Sequence, residues 1–278
     1  MFSYTPAILA IAGVYIIITV IMRIKIRSKK FKNKFIYGDF SSNKRATTLV
    51  IFLSGFSGGM GTPLFKNASA IFLKGGFSVI EFNFCNGYND KHYKSDAIKT
   101  EDMSFSVYVV ELKNIVDSFG KKYSKIVFVG HSFGAVVSIL FLSEYRKYAK
   151  KTELVLWDPT LLPWKKEWME MDFVFDTDKK LYYSKNENEV MNRLFYKECI
   201  SIKDTTETLQ LLNKKVCIIA AENGARKDAK KYFSKIHKRK SSAFSVVKGA
   251  GHLFVGKRIQ KELFEKTISF LEAEISQK

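Results

Sequence analysis

The sequence predicts an α/β domain: a mostly parallel sheet covered by helices on both faces, carrying a cap insertion and preceded by one N-terminal transmembrane helix. Three observations carry this. From residue 46 to 275, short apolar, β-branched runs alternate with amphipathic ones, the rhythm of strands joined by crossover helices. That rhythm breaks once, over residues 160–212, a stretch too long for a plain connection. Finally, no charged side chain occurs from Met1 to Met22.

The charge-free run comes first. "PAILAIAGVYIIITVIM" with its flanks is just long enough to cross a hydrocarbon core of roughly 30 Å. It is followed by "RIKIRSKKFKNK", with no acid until Asp39. A secretory signal carries its positive charges before the apolar run and a small-residue cleavage site after it; here the order is reversed. Positive-inside logic puts the amino terminus outside and everything after Arg23 in the cytoplasm. Residues 1–23 therefore read as a membrane anchor, 24–45 as a basic juxtamembrane linker lying against anionic headgroups, and 46–278 as the folded domain.

Within that domain "TTLVIFLSG" reads as a strand, 63–74 as a helix and "FSVIEFNF" as the next strand. Residues 101–119 place apolar side chains at 105, 109, 112, 115 and 116, one face of a helix. "KIVFVG" is a strand, "SFGAVVSILFLSEYRKY" a helix and "TELVLWD" a strand. The segment 160–212, with eight basic and ten acidic residues, is slightly acidic in a basic chain and reads as a cap over the strand ends. In open α/β sheets ligands bind outside those ends, so a cap there shapes a pocket. "KKVCIIAAE" and "SSAFSVVKGAG" are the last strands, and 257–275 is the closing helix.

Composition limits the function classes. A hydrophobic content of 46% with 14% aromatics excludes wholesale disorder. The net charge of +19 fits an anionic partner or a lysine-rich solvated surface. Residues 226–240 hold eight basic residues against Asp228 alone, read as a solvated helix. Nucleic-acid binding is not expected, because no reading module or stacking aromatics accompany the charges. Cys85, Cys199 and Cys217 lack CxxC spacing, so no disulfide framework or zinc site is legible, and no cofactor is expected.

The chemistry centres on "FVGHSFGAVVS", residues 128–138. A strand running straight into a helix through G-H-S-F-G makes a sharp turn with Ser132 at its apex, at the positive end of the helix. A serine nucleophile needs a general base, normally an imidazole. Of the four histidines, His131 is the variable elbow position, His92 follows an early strand and His237 lies among lysines and arginines. His252 alone sits in a tight glycine turn, "KGAGHLF", after the last strand. An oxyanion needs backbone N–H donors. Phe133, next to the nucleophile, supplies one, and Phe56 in the glycine-rich loop "LSGFSGGMGTP" supplies the other.

These residues together resemble the α/β-hydrolase superfamily over roughly residues 46–275. "GHSFG" is similar to its nucleophile elbow and "GAGH" to its histidine loop. "FLSGFSGG" is similar to its oxyanion loop, with Ser54 where a histidine is usual. The resemblance implies hydrolysis through an acyl-serine intermediate. It also places the acid after the strand "VCIIAA", but there the sequence reads "ENGARKD" with Gly224 in the acid's slot. Some lipases of the superfamily take the acid from the preceding strand as Asp-Pro, and "LVLWDPT" offers Asp158. Asp158 is preferred, with Glu222 and Asp228 as alternatives. The resulting expectation is a membrane-anchored serine hydrolase acting on a small-molecule acyl ester, including lipid-derived esters or thioesters. An acyltransferase or peptidase would use the same groups, and a catalytically inactive membrane scaffold is the competing class.

Overall fold

The computed structural model describes residues 20–56, 58–85, 94–185, 189–236 and 242–273. Eight strands form the central sheet: β1 (Val20–Arg27), β2 (Phe35–Ser42), β3 (Thr48–Leu53), β4 (Ser78–Asn83), β5 (Lys125–His131), β6 (Thr152–Trp157), β10 (Val216–Asn223) and β11 (Ala243–Gly251). Their spatial order is β1-β2-β4-β3-β5-β6-β10-β11. All neighbours from β4 to β11 run parallel, whereas β1–β2 and β2–β4 are antiparallel.

The central strands are continuous apolar runs because both of their faces are covered. Every residue of β3 is buried, and all but the first of β5. The period-2 alternation of a strand divides their side chains between two cores. Val127, Val129, Val155 and Trp157 join the core under α1 (Pro63–Lys74) and α8 (Lys257–Ala273). Ile126, Phe128, Leu154 and Leu156 join the core under α2 (Phe105–Phe119), α3 (Phe133–Glu144) and α7 (Arg226–Ile236). Trp157 is fully buried, and its indole N–H donates to Thr267 Oγ1 at 3.0 Å, fixing α8 to the sheet.

The amino-terminal boundary differs from the sequence expectation. Residues 24–45 are not a linker: β1 and β2 form an edge hairpin of the sheet itself, and the last residues of the expected anchor, 20–23, pair with 39–42. The physical reason is alternation. In "VIMRIKIR" Ile24 is buried, Met22 and Ile26 pack against the same core, and Arg23, Lys25 and Arg27 point to solvent. Arg23 pairs with Asp39 at 3.0 Å and Lys25 with Asp96 at 2.8 Å. The turn after β1 is tied down by buried Glu111, which accepts from Ser28 Oγ at 2.5 Å and from the N–H groups of Lys29 and Lys30 at 2.9 and 3.0 Å. The rest of the expected anchor, residues 1–19, lies outside the described residues. Among the described residues no helix is long and apolar enough to cross a membrane.

Between β6 and β10 the chain forms α4 (Lys166–Asp172), an antiparallel sheet of β7 (Phe173–Asp176), β8 (Leu181–Ser184) and β9 (Val190–Asn192), then α5 (Arg193–Ser201) and α6 (Thr205–Leu212). The small sheet and α5 are the cap, docked through Asn192, whose amide donates to the carbonyls of Glu101 and Met103 at 2.9 Å each. The helix α6 packs on α3 and α7 instead, as the crossover returning the chain to β10.

Candidate active site

Ser132 stands between β5 and α3 with φ 52° and ψ −115°, a conformation that costs a side-chain-bearing residue about 1–3 kcal/mol. The positions two residues before and after it must be glycine. A Cβ on Gly130 would lie 2.6 Å from the Ala135 backbone, and one on Gly134 only 2.1 Å from the Leu53 carbonyl oxygen. The Ser132 N–H donates to the Trp157 carbonyl at 2.9 Å, which ties the turn to the neighbouring strand.

His252 follows directly on β11, and Phe254, fully buried two residues later, anchors its turn through an N–H bond to the Gly251 carbonyl at 2.9 Å. His252 Nε2 lies 2.9 Å from Ser132 Oγ, and Nδ1 lies 2.6 Å from Asp158 Oδ2. A carboxylate only accepts, so Nδ1 carries the proton and Nε2 is free to receive that of the serine.

Asp158 is fully buried at the end of β6, with φ 42°. Its charge is met by main-chain donors: Oδ1 accepts from Ala221 N–H at 2.9 Å, and Oδ2 from Ala225 N–H at 2.8 Å besides His252. Such charge-assisted bonds compensate a buried carboxylate. Of the three acids considered, the structure brings Asp158 to the imidazole. Glu222 accepts instead from Gly249 N–H at 2.8 Å, steadying the loop that leads to His252. Asp228, in the first turn of α7, accepts from the Leu161 N–H, and burial raises its pKa. The Asp158 carboxylate occupies the space a side chain at 224 would need: a Cβ on Gly224 would lie 2.2 Å from Oδ2.

The glycine-rich loop runs beside Ser132, where a Cβ on Gly55 would be 3.2 Å from the serine Cβ. It is braced by Ser54 Oγ donating to the Gly58 carbonyl at 2.9 Å and by Met60 N–H donating to Asn83 Oδ1. Phe133 opens α3, so its N–H has no acceptor within the helix. The Phe56 and Phe133 rings meet at 5.6 Å, and both touch Phe195 of the cap at 5.5 Å. Phe105 and Tyr108 complete this aromatic group.

Two contacts have no counterpart in the sequence reading. Thr160 Oγ1 lies 2.9 Å from Ser132 Oγ, and its carbonyl accepts from the Tyr232 hydroxyl at 2.9 Å. With the serine proton directed at His252, Thr160 donates into Ser132 Oγ. His131 Nε2 lies 2.8 Å from the His252 carbonyl; a carbonyl only accepts, so this nitrogen holds the proton. Burial, reinforced by His252, lowers the His131 pKa to about 4, so His131 is a neutral prop under the His252 turn. His92 and His237 lie outside the described residues.

No family model and no curated protein sequence matches the chain. Solved structures do. Est1E from Butyrivibrio proteoclasticus superposes with a TM-score of 0.71 at 13% identity, covering 91% of this chain and 99% of that one. The α/β hydrolase GrgF from Penicillium sp. superposes at 0.67 with 12% identity, covering 91% and 98%. A dienelactone hydrolase from Anabaena variabilis does so at 0.62 with 10% identity, covering 92% and 98%. The strand order, the strained turn at Ser132 and these superpositions agree: the chain has the α/β-hydrolase fold.

Proposed function

We propose that this chain is a serine hydrolase that cleaves small-molecule carboxylic esters through an acyl-serine intermediate. The reading rests on one line of hydrogen bonds, Ser132 Oγ to His252 Nε2 at 2.9 Å and His252 Nδ1 to Asp158 Oδ2 at 2.6 Å. In the reaction Ser132 Oγ attacks the ester carbonyl carbon as His252 Nε2 takes its proton. The carbonyl oxygen becomes an oxyanion held by the N–H groups of Phe56 and Phe133. Its collapse breaks the acyl–oxygen bond, and His252 returns the proton to the departing alcohol. Water, deprotonated by the same imidazole, then releases the acid. Asp158 fixes the tautomer of His252 and balances the charge of the imidazolium. Thr160 holds Ser132 Oγ in line between turnovers.

The structural neighbours point the same way, since several are esterases or hydrolases by name and Est1E was also solved with ferulic acid bound. A planar aromatic acyl group suits the ring-lined wall of Phe56, Phe133 and Phe195. Residues 1–19, free of charged side chains, are read as a membrane-embedded segment with the domain on the cytoplasmic side. Protease added to intact cells would then leave a tag at Lys278 uncut.

A fluorophosphonate probe tests the chemistry. Wild-type protein labels covalently, Ser132→Ala does not, and His252→Ala labels far more slowly. An unlabelled, folded wild type would instead favour the inactive scaffold.

A further inference from the structure

The described loops at the strand-start edge of the sheet are basic without exception. Five described segments lead into the starts of parallel strands: "NKRAT" (43–47) before β3, "KGGF" (74–77) before β4, "GKKYS" (120–124) before β5, "YRKYAKK" (145–151) before β6 and "NKK" (213–215) before β10. Together they hold eleven basic residues and no acidic one. The last three of them border a groove of about 270 Å³ lined by Lys125, Lys150, Lys151, Lys214, Lys215 and Glu153. Glu153 pairs with Lys125 at 2.8 Å. Lys151 and Lys214 donate to the Gly120 and Ala149 carbonyls.

The opposite edge holds the Ser132 site. The loops bordering Ser132, 54–62, 158–165, 222–225 and 252–256, carry only Asp158, Glu222 and Lys165, whereas elsewhere on this edge the 28–34 turn adds Lys29, Lys30, Lys32 and Lys34 and residues 94–102 mix basic with acidic side chains. Because β1–β2 and β2–β4 are both antiparallel, β1 runs in the direction of the parallel strands. Val20, where the charge-free residues 1–19 join the sheet, therefore lies on the basic edge. Ser132 comes at the far end of the seven-residue β5, about 20–25 Å away at roughly 3.3 Å per residue.

We propose that the basic edge docks on an anionic bilayer, with residues 1–19 entering the lipid beside it and the Ser132 site opening away from the membrane. Each lysine or arginine near an anionic surface adds attraction that falls off within a Debye length, and such residues run along the strand-start edge from the entry point at β1 to β10. The substrate is then a water-borne ester instead of an acyl chain buried in the bilayer. This orientation rests on reading residues 1–19 as membrane-embedded and does not depend on the chemistry at Ser132. The lysines of the 28–34 turn lie at the other end of β1 and serve as the control.

Energy transfer measures the orientation. Full-length protein with Cys85→Ser carries a donor on a cysteine introduced at Lys74, on the basic edge, or at Leu253, beside the site; acceptors sit on lipid headgroups. In phosphatidylcholine–phosphatidylserine vesicles, transfer is expected to be at least twofold higher from position 74. Charge reversal of exposed Lys44, Lys121 and Lys150 to Glu removes that difference, whereas reversal of exposed Lys29, Lys30 and Lys32 leaves it. Equal transfer, greater transfer from 253, failure to float with the vesicles, or release from them by a short RNA at equal salt overturns the proposal. Hydrolysis of a soluble aryl ester in the same samples reports separately on Ser132.

Discussion

Asp158 and Gly224 share one space, and that sharing explains why the carboxylate that meets His252 is hard to find in the sequence. A Cβ at 224 would sit 2.2 Å from Asp158 Oδ2, and Gly224 is outside the left-handed region, so space alone forbids a side chain there. Gly224→Ala should push the carboxylate off His252 and lower kcat. Asp158→Gly should lower kcat by about a thousandfold or more through loss of the tautomer-fixing partner. Adding Gly224→Asp to Asp158→Gly should recover at least about tenfold of that loss, read by aryl-ester kinetics; no recovery would place the demand on the exact approach from β6. His131 makes a separate prediction. Its pKa falls from 6.5 to about 4 on burial, so between these values the unfolded chain binds a proton that the folded chain refuses. Stability therefore falls as pH drops through that window, by about 3 kcal/mol in full. Urea midpoints measured from pH 7 to 4 should decline more steeply for wild type than for His131→Gln.

The edge strand β1 shows how an element can be hidden by its own composition. Ile24 is 3% exposed in the core while Ile21 is 49% exposed, so Ile24→Ala should cost about 2–4 kcal/mol in urea unfolding and Ile21→Ala under about 0.5 kcal/mol. Equal small effects would return residues 24–27 to a linker. Charge density in "RIKIRSKK" suggested a headgroup-facing linker, yet the same letters alternate isoleucine with base, the pattern of a strand with one wet face. The central strands were legible because burial on both faces leaves continuous apolar runs. Ser132 was legible because its strained turn leaves no room for side chains at Gly130 and Gly134, and His252 because it follows the last strand in a turn whose Gly249 takes a positive φ. Asp158 showed as Asp-Pro at a strand end, with Glu222 and Asp228 left open beside it. Thr160 and His131 showed nothing, since their contacts join residues whose nearness is created only by folding: Thr160 meets Ser132 from the loop after the neighbouring strand, and His131 reaches a carbonyl more than a hundred residues on.

The whole molecule is two apolar cores divided by one sheet, with the site at the edge where only one core is roofed by the cap. The core of α2 and α3 continues into the cap through Phe195, which meets Phe56, Phe105 and Phe133 at 5.5, 5.3 and 5.5 Å. Phe195 is fully buried, so the cap packs as part of the domain and its ring bounds the space next to Ser132. Acyl-group size should be limited at that ring. Phe195→Leu keeps most of the apolar contact but shortens the wall, so the kcat/KM ratio for an octanoyl over an acetyl aryl ester should rise by about fourfold, the worth of roughly one added buried methylene. A ratio unchanged from wild type, in a variant that unfolds at a similar urea midpoint, would mean that the acyl group leaves Ser132 in another direction and that the aromatic group serves only to hold the cap down.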